Sequence, residues 1–250
     1  VFALLFPVIG WRGMFMVGAA PALLVLFIRS KVEESPAYVA RHTRQERTSF
    51  LAVARRHIGR LVYVVILMTA FNFFSHGTQD LYPTFLENLQ FTPRTVGTIA
   101  VIYNIGAILG GLGFGLLSER IGRRRGMVIA ALLALPIIPL WAYSVTPAML
   151  ALGAFLMQVA VQGAWGIVPV HLNELSPDEI RGTFPGFAYQ LGNLLAAINA
   201  TLQAGIAQSH GYPFALAVVA GIVAVAVALL AGFGMEQRGI AFGRQTQPAD

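Results

Sequence analysis

The chain has 250 residues, 56% of them hydrophobic and only 11% charged, with a mean hydropathy of +0.69. A soluble domain of this length carries about a quarter of its residues as charges, so the composition reads as an all-α integral membrane protein. Lys and Arg number 17 against 11 acids, but they sit between apolar runs with no aromatic-interleaved basic module, which argues against nucleic acid, and without Cys there is no disulfide framework or thiolate metal site.

Val1–Gly10 reads as the closing turns of a span already under way, Gly10–Gly13 as a turn and Met14–Ile28 as a second span. The sequence opens in an apolar run with no starting Met and no visible cleavable signal. We expect a piece of a longer protein, with residues 1–28 the end of one helical bundle. Residues 29–60 form a basic segment broken at Ser35-Pro36. Its centre, with Arg41, Arg44 and Arg47, reads as a solvated or membrane-surface helix. Six spans then follow within residues 61–235, near Leu61–Leu86, Val96–Leu117, Met127–Tyr143, Met149–Val170, Phe184–Ala207 and Pro213–Phe233. Residues 236–250 are a polar tail. All basic residues except Arg12 and Arg94 fall on one side of this layout. The positive-inside rule places that side, the basic segment and the C-terminus in the cytoplasm, with the lipid bilayer as surroundings and a bacterial inner membrane as the expected location.

Within the first of the six spans, Asn72, His76, Gln79 and Asp80 share one helix face over roughly 12 Å of height. Ionisable groups in hydrocarbon are costly and usually face a protein-lined cavity that carries substrate or protons. Gly106, Gly110, Gly111, Gly113 and Gly115 form a small-residue face suited to close helix packing. No strand precedes them and no Gly-Lys-Ser/Thr follows, so they are not a phosphate loop. The run Phe214–Phe233 carries no polar side chain and is expected to face lipid. Gln190 and Asn193, three apart on one face, fit a substrate carboxylate or hydroxyl and interhelical hydrogen bonding equally well. No histidine or acid cluster has metal spacing, and no Ser/His/Asp set supports an enzyme. His171 reads as a surface histidine.

Two cytoplasmic turns carry a resemblance. Gly115, Glu119, Arg120, Gly122, Arg123 and Arg124 resemble the signature loop of the major facilitator superfamily, with Glu119 where the family usually has Asp. Glu174-Leu-Ser-Pro177-Asp-Glu-Ile-Arg181-Gly-Thr183 is similar to a second turn found in superfamily members near the sugar porters. The resemblance implies a cytoplasmic gate in which Glu174 and Arg181 join Glu119 and the arginine cluster. It also implies a six-helix C-terminal bundle preceded by the remnant of an N-terminal bundle, whose missing part would be a partner within the same protein. Asn72-x-x-Ser75-His76-x-Thr78-Gln79-Asp80-x-x-x-Thr84 is similar to the seventh-helix signature of the sialate/monocarboxylate:proton symporters, which include the fungal lactate/pyruvate permeases. Gln190 and Asn193 match that family's eleventh-helix pair. This implies proton-coupled uptake of a small organic anion, lactate or pyruvate favoured over sialate, with the proton as coupling ion and no other cofactor. Asn72, Ser75, His76, Gln79, Asp80, Gln190 and Asn193 then line the substrate and proton pathway. An exporter of drugs or aromatic acids and a transporter-like sensor are the alternatives.

Overall fold

The computed structural model describes residues 2–31 and 49–236. These fall into two compact units, residues 2–31 in one and residues 49–236 in the other. The basic centre with Arg41, Arg44 and Arg47, and the tail arginines Arg238 and Arg244, lie outside the described residues.

The first unit is helix α1 (Phe2–Lys31), which breaks at Gly10, where φ is +62°. A left-handed φ is costless only for glycine, so the expected turn is realised as a kink at this residue.

The second unit contains α2 (Phe50–Arg56), α3 (Ile58–Gln79), α4 (Tyr82–Asn88), α5 (Pro93–Ile121), α6 (Arg123–Ala142), α7 (Pro147–Leu175), α8 (Phe184–Ala196), α9 (Asn199–His210) and α10 (Tyr212–Gly232). A 3-10 turn at Asp178–Ile180 precedes α8, and there is no strand among the described residues. α5 and α7 open on Thr-Pro, with Thr92 and Thr146 accepting the N–H of Thr95 and Met149. Thr at the cap and Pro at the first helical position are the expected start signals. Among the described residues six stretches are long and apolar enough to cross a membrane: Val8–Lys31, Ile58–Asn88, Pro93–Ile121, Arg123–Ala142, Pro147–Leu175 and Tyr212–Gly232.

Two expected spans are interrupted. The Leu61–Leu86 span ends as α3 at Gln79 and resumes as α4 at Tyr82. Pro83 supplies the reason: it has no N–H to offer the Gln79 carbonyl four residues back, and its ring clashes with that carbonyl. The Phe184–Ala207 span is split into helices of 13 and 12 residues. At the join the Ala197 N–H bonds Leu194 O, three residues back, at 3.3 Å. One tightened turn thus replaces the regular ladder.

Side-chain bonds to helix ends sort the bundle into two ends. At one end, Arg60 at the start of α3 donates to Leu175 O at the end of α7, and Arg124 at the start of α6 donates to Ala231 O and Gly232 O at the end of α10. At the other end, the buried Tyr82 hydroxyl bonds Trp141 O and Leu150 O, joining α4 to the end of α6 and the start of α7. α7 therefore finishes at the basic end, whereas α10 starts at the opposite one. α8 and α9 together must run from the basic end to the opposite end.

Helices in lipid gain little from apolar burial and associate through close packing. A Cβ at Gly106 or Gly110 of α5 would lie 2.5 Å or 2.3 Å from the carbonyl oxygens of Phe155 and Val159 in α7. Reciprocally, a Cβ at Gly166 would lie 2.3 Å from Gly111 O. The glycine face is thus a helix contact, although Gly113 meets nothing within 4 Å. α10 presents one apolar side outward, with Ile222 and Leu229 exposed, and packs the other into the bundle. Ala215, Val219, Ala220, Val223, Ala224, Val227 and Ala231 are buried, so only one side of this wholly apolar helix is exposed. Small side chains repeating at three and four residues let it pack as tightly as a polar-faced helix would.

Candidate functional site

The polar stretch at the end of α3 divides into separate groups. Asn72 is buried and its amide donates to Met68 O of its own helix at 2.9 Å, so it is turned onto the backbone rather than toward its expected companions. His76 Nδ1 stands 3.2 Å from both carboxylate oxygens of Asp80, one turn on. Their side chains are 43% and 42% exposed. An exposed pair of this kind contributes about 0–1 kcal/mol, too little for stability to explain an ionisable pair in an apolar span. Its geometry suits proton exchange between imidazole and carboxylate, with solvent as the third party.

Ser75 forms the second group. Its hydroxyl accepts from Gln79 Nε2 at 2.9 Å and from Gln162 Nε2 of α7 at 3.2 Å. One turn away, Trp165 Nε1 donates to Phe71 O at 3.2 Å. The Trp165 ring meets Phe71 and Tyr189 edge-on at 5.8 Å and 6.0 Å. This half-buried set offers neutral donors and aromatic edges, which suit a small carboxylate with an apolar body. Gln162, Trp165 and Tyr189 were not among the expected pathway residues. Gln158, Gln162 and Trp165 do share a helix face by spacing, but the contact to Ser75 and Tyr189 depends on how three helices pack. On the next face Gln158 donates to Thr78 at 3.5 Å.

Gln190 is exposed and Asn193 half-buried on α8. Between them Gly192 rests against α3, where a Cβ would lie 2.7 Å from Met68 Cβ. The pair therefore sits about two turns from His76, at the level of Met68, and the structure does not bring it to the His76–Asp80 pair.

At the basic end, α6 begins with three arginines, although the positive end of a helix disfavours cations. Carboxylates offset this. Arg123, only 5% exposed, bonds buried Glu174 through Nε and Nη2 at 3.3 Å, the Ser118 hydroxyl at 2.8 Å and Glu119 at 2.8 Å. Its N–H donates to Glu236 at 3.0 Å. Gly122 makes the turn with φ of +100°, and a Cβ there would lie 2.8 Å from the same Glu236 oxygen. Gly115 lies near Gly166 O, 3.7 Å from its would-be Cβ. Arg120 is exposed. Arg181 pairs with Asp178, three positions back, at 2.5 Å and caps α7 through Asn173 O and Ser176 O, on either side of Glu174.

His171 corrects another expectation. It is fully buried in α7, and neither ring nitrogen has a hydrogen-bond partner among the described residues. Among those residues no group of His, Asp or Glu could hold a metal ion.

Residues 72–240 match the Major Facilitator Superfamily. Over 169 residues the chain is 36% identical to the carboxylic acid transporter protein homolog of Saccharomyces cerevisiae, covering 67% of this chain and 27% of that protein. It is 26% identical to the sialic acid transporter NanX of Escherichia coli over 90% of this chain and 56% of the relative. To the cis,cis-muconate transport protein of Acinetobacter baylyi it is 27% identical, over 78% and 49%. The chain thus spans about half or less of these relatives' length.

Proposed function

The chain belongs to the Major Facilitator Superfamily, a family of multi-pass membrane transporters rather than enzymes, and from that premise we propose that it serves proton-coupled uptake of a small carboxylate by alternating access. A lactate- or pyruvate-type monocarboxylate is favoured, and sialate comes next. The observation that carries this is the His76–Asp80 pair, 3.2 Å apart and open to solvent at the broken end of α3. The names of the relatives, transporters of carboxylic, sialic and muconic acids, support the substrate class. In this reading the proton moves through Asp80 and His76, while the Ser75, Gln79 and Gln162 cluster meets the carboxylate. Gln190 and Asn193 serve a different level of the same pathway. The Arg123, Glu119 and Glu174 cluster, with Gly115, Gly122, Arg120 and Arg124 around it, closes the cytoplasmic gate. Alternating access rocks one bundle against another, so the activity is that of the whole protein, with the C-terminus cytoplasmic and a bacterial inner membrane around it.

The test uses radiolabelled lactate in cells expressing the full-length protein, scored per correctly inserted molecule from pH 5 to 8. Asp80→Asn mimics the protonated acid, so it is expected to keep counterflow exchange and lose accumulation against a gradient. His76→Ala is expected to weaken binding as well. Accumulation by Asp80→Asn with the pH dependence of the wild type would sink the proton-carrier role.

A further inference from the structure

α3 closes with the Asp80 N–H donating to His76 O at 3.0 Å. Carbonyls in the last turn of a helix lack partners within it, and Gly77 is the next in line. Its carbonyl is met from another helix: Gln203 of α9 donates from Nε2 at 2.7 Å. Gln203 and Gly77 are both buried. The absent side chain eases the approach, since a Cβ at Gly77 would crowd Gln203 Nε2 and Val219 Cγ1, each at 3.3 Å. Asn199, one turn before Gln203 and also buried, reaches within 3.6 Å of the same point. The capped carbonyl is adjacent to His76 and three residues from Asp80. The capping residue stands on the detached second piece of the broken α8–α9 helix.

We infer that Gln203 is a positioning residue for the His76–Asp80 pair. Its amide caps the open end of α3, fixes the turn on which imidazole and carboxylate face one another, and ties that turn to α9. A displacement of α9 during alternating access then reaches the pair through one hydrogen bond. The role rests on the pair carrying the proton, but the bond itself is testable without any transport.

These 250 residues hold no Cys, so once any cysteines elsewhere in the full-length protein are replaced, Thr78→Cys, at a buried position next to Gly77, supplies the single reactive thiol at the closing turn of α3. N-ethylmaleimide labelling is followed in membranes holding the full-length protein, against the same cysteine with native Gln203 at the same pH. Gln203→Met keeps the length and removes the donor. It is expected to speed labelling about five- to thirtyfold, the factor that losing a buried hydrogen bond allows. Gln203→Glu at pH 6 is expected to label at the native rate, because burial keeps its carboxyl protonated and the O–H can donate to Gly77 O. Native-rate labelling in Gln203→Met overturns the inference. So does Gln203→Glu labelling as fast as Gln203→Met, because a donor restored at the same bulk would then fail to hold the turn. In the lactate assay Gln203→Met is expected to retain exchange and lose accumulation. A wild type that takes up no lactate counts against the transport reading and leaves the labelling result standing.

Discussion

Arg123 shows how burial decides the worth of a charge. It holds two carboxylates at similar distances, but Glu174 is nearly sealed, with 5% of its side chain exposed, whereas Glu119 is 61% exposed. An exposed pair contributes about 0–1 kcal/mol. Removing one partner of a buried pair costs about 3–5 kcal/mol, because the other charge is left stranded. Glu174→Ala is therefore expected to lower the thermal unfolding temperature of the detergent-purified protein much more than Glu119→Ala does. Equal losses would show that Arg123 is solvated in the working protein. At this scale the sequence disclosed what lies within one helix. His76 and Asp80 are one turn apart and do pair. Asn72 has the same phase, yet its amide bonds its own backbone four residues back, a choice that helical spacing does not reveal. Trp165 and Tyr189 were illegible for a different reason: their contact is fixed by the packing of α3, α7 and α8. His171 misled because a lone histidine near a turn resembles a surface residue until its neighbours are in place.

Glycine spacing in α5 and the two broken helices show how elements meet. Gly110 is pressed against Val159 O, whereas Gly113, less than one turn away, has open space. Gly110→Ala is expected to force α5 from α7 and reduce inserted, folded protein sharply. Gly113→Ala is expected to be neutral or to stabilise by up to about 1 kcal/mol, the helix propensity difference. Thermal melting of the two variants side by side decides it, and similar behaviour would mean that the α5–α7 contact is not close-packed. The small-residue face was legible because close backbone approach demands residues without side chains. The break after Gln79 was available in principle from Pro83, but an apolar run of this length conceals it. The join at Ala197 carries neither Gly nor Pro and could not be read. It appears only with α9 packed through Asn199 and Gln203 onto Gly77.

The parity of the whole bundle follows from these ends. α7 finishes at the basic end, where Arg60 and Arg123 meet Leu175 and Glu174. α10 finishes there too, beneath Arg124, and so begins at the opposite end. The chain between them must cross once, although α8 and α9 have only 13 and 12 residues, each shorter than the ~20 that a bilayer requires. Joined end to end they rise about 40 Å, enough to cross. Six crossings by α3 to α10 then put the basic loops on one side, which the positive-inside rule assigns to the cytoplasm. Exposed positions at the two ends test this directly, in the full-length protein with any cysteines outside these Cys-free 250 residues replaced. Arg125→Cys, at the basic end, is expected to react with a membrane-impermeant maleimide only in inverted vesicles. Ser209→Cys, at the end of α9, is expected to react only in intact spheroplasts. Reaction of both from the same face would mean that α8 and α9 form a re-entrant hairpin rather than a crossing, and the bundle would then lose its fifth span.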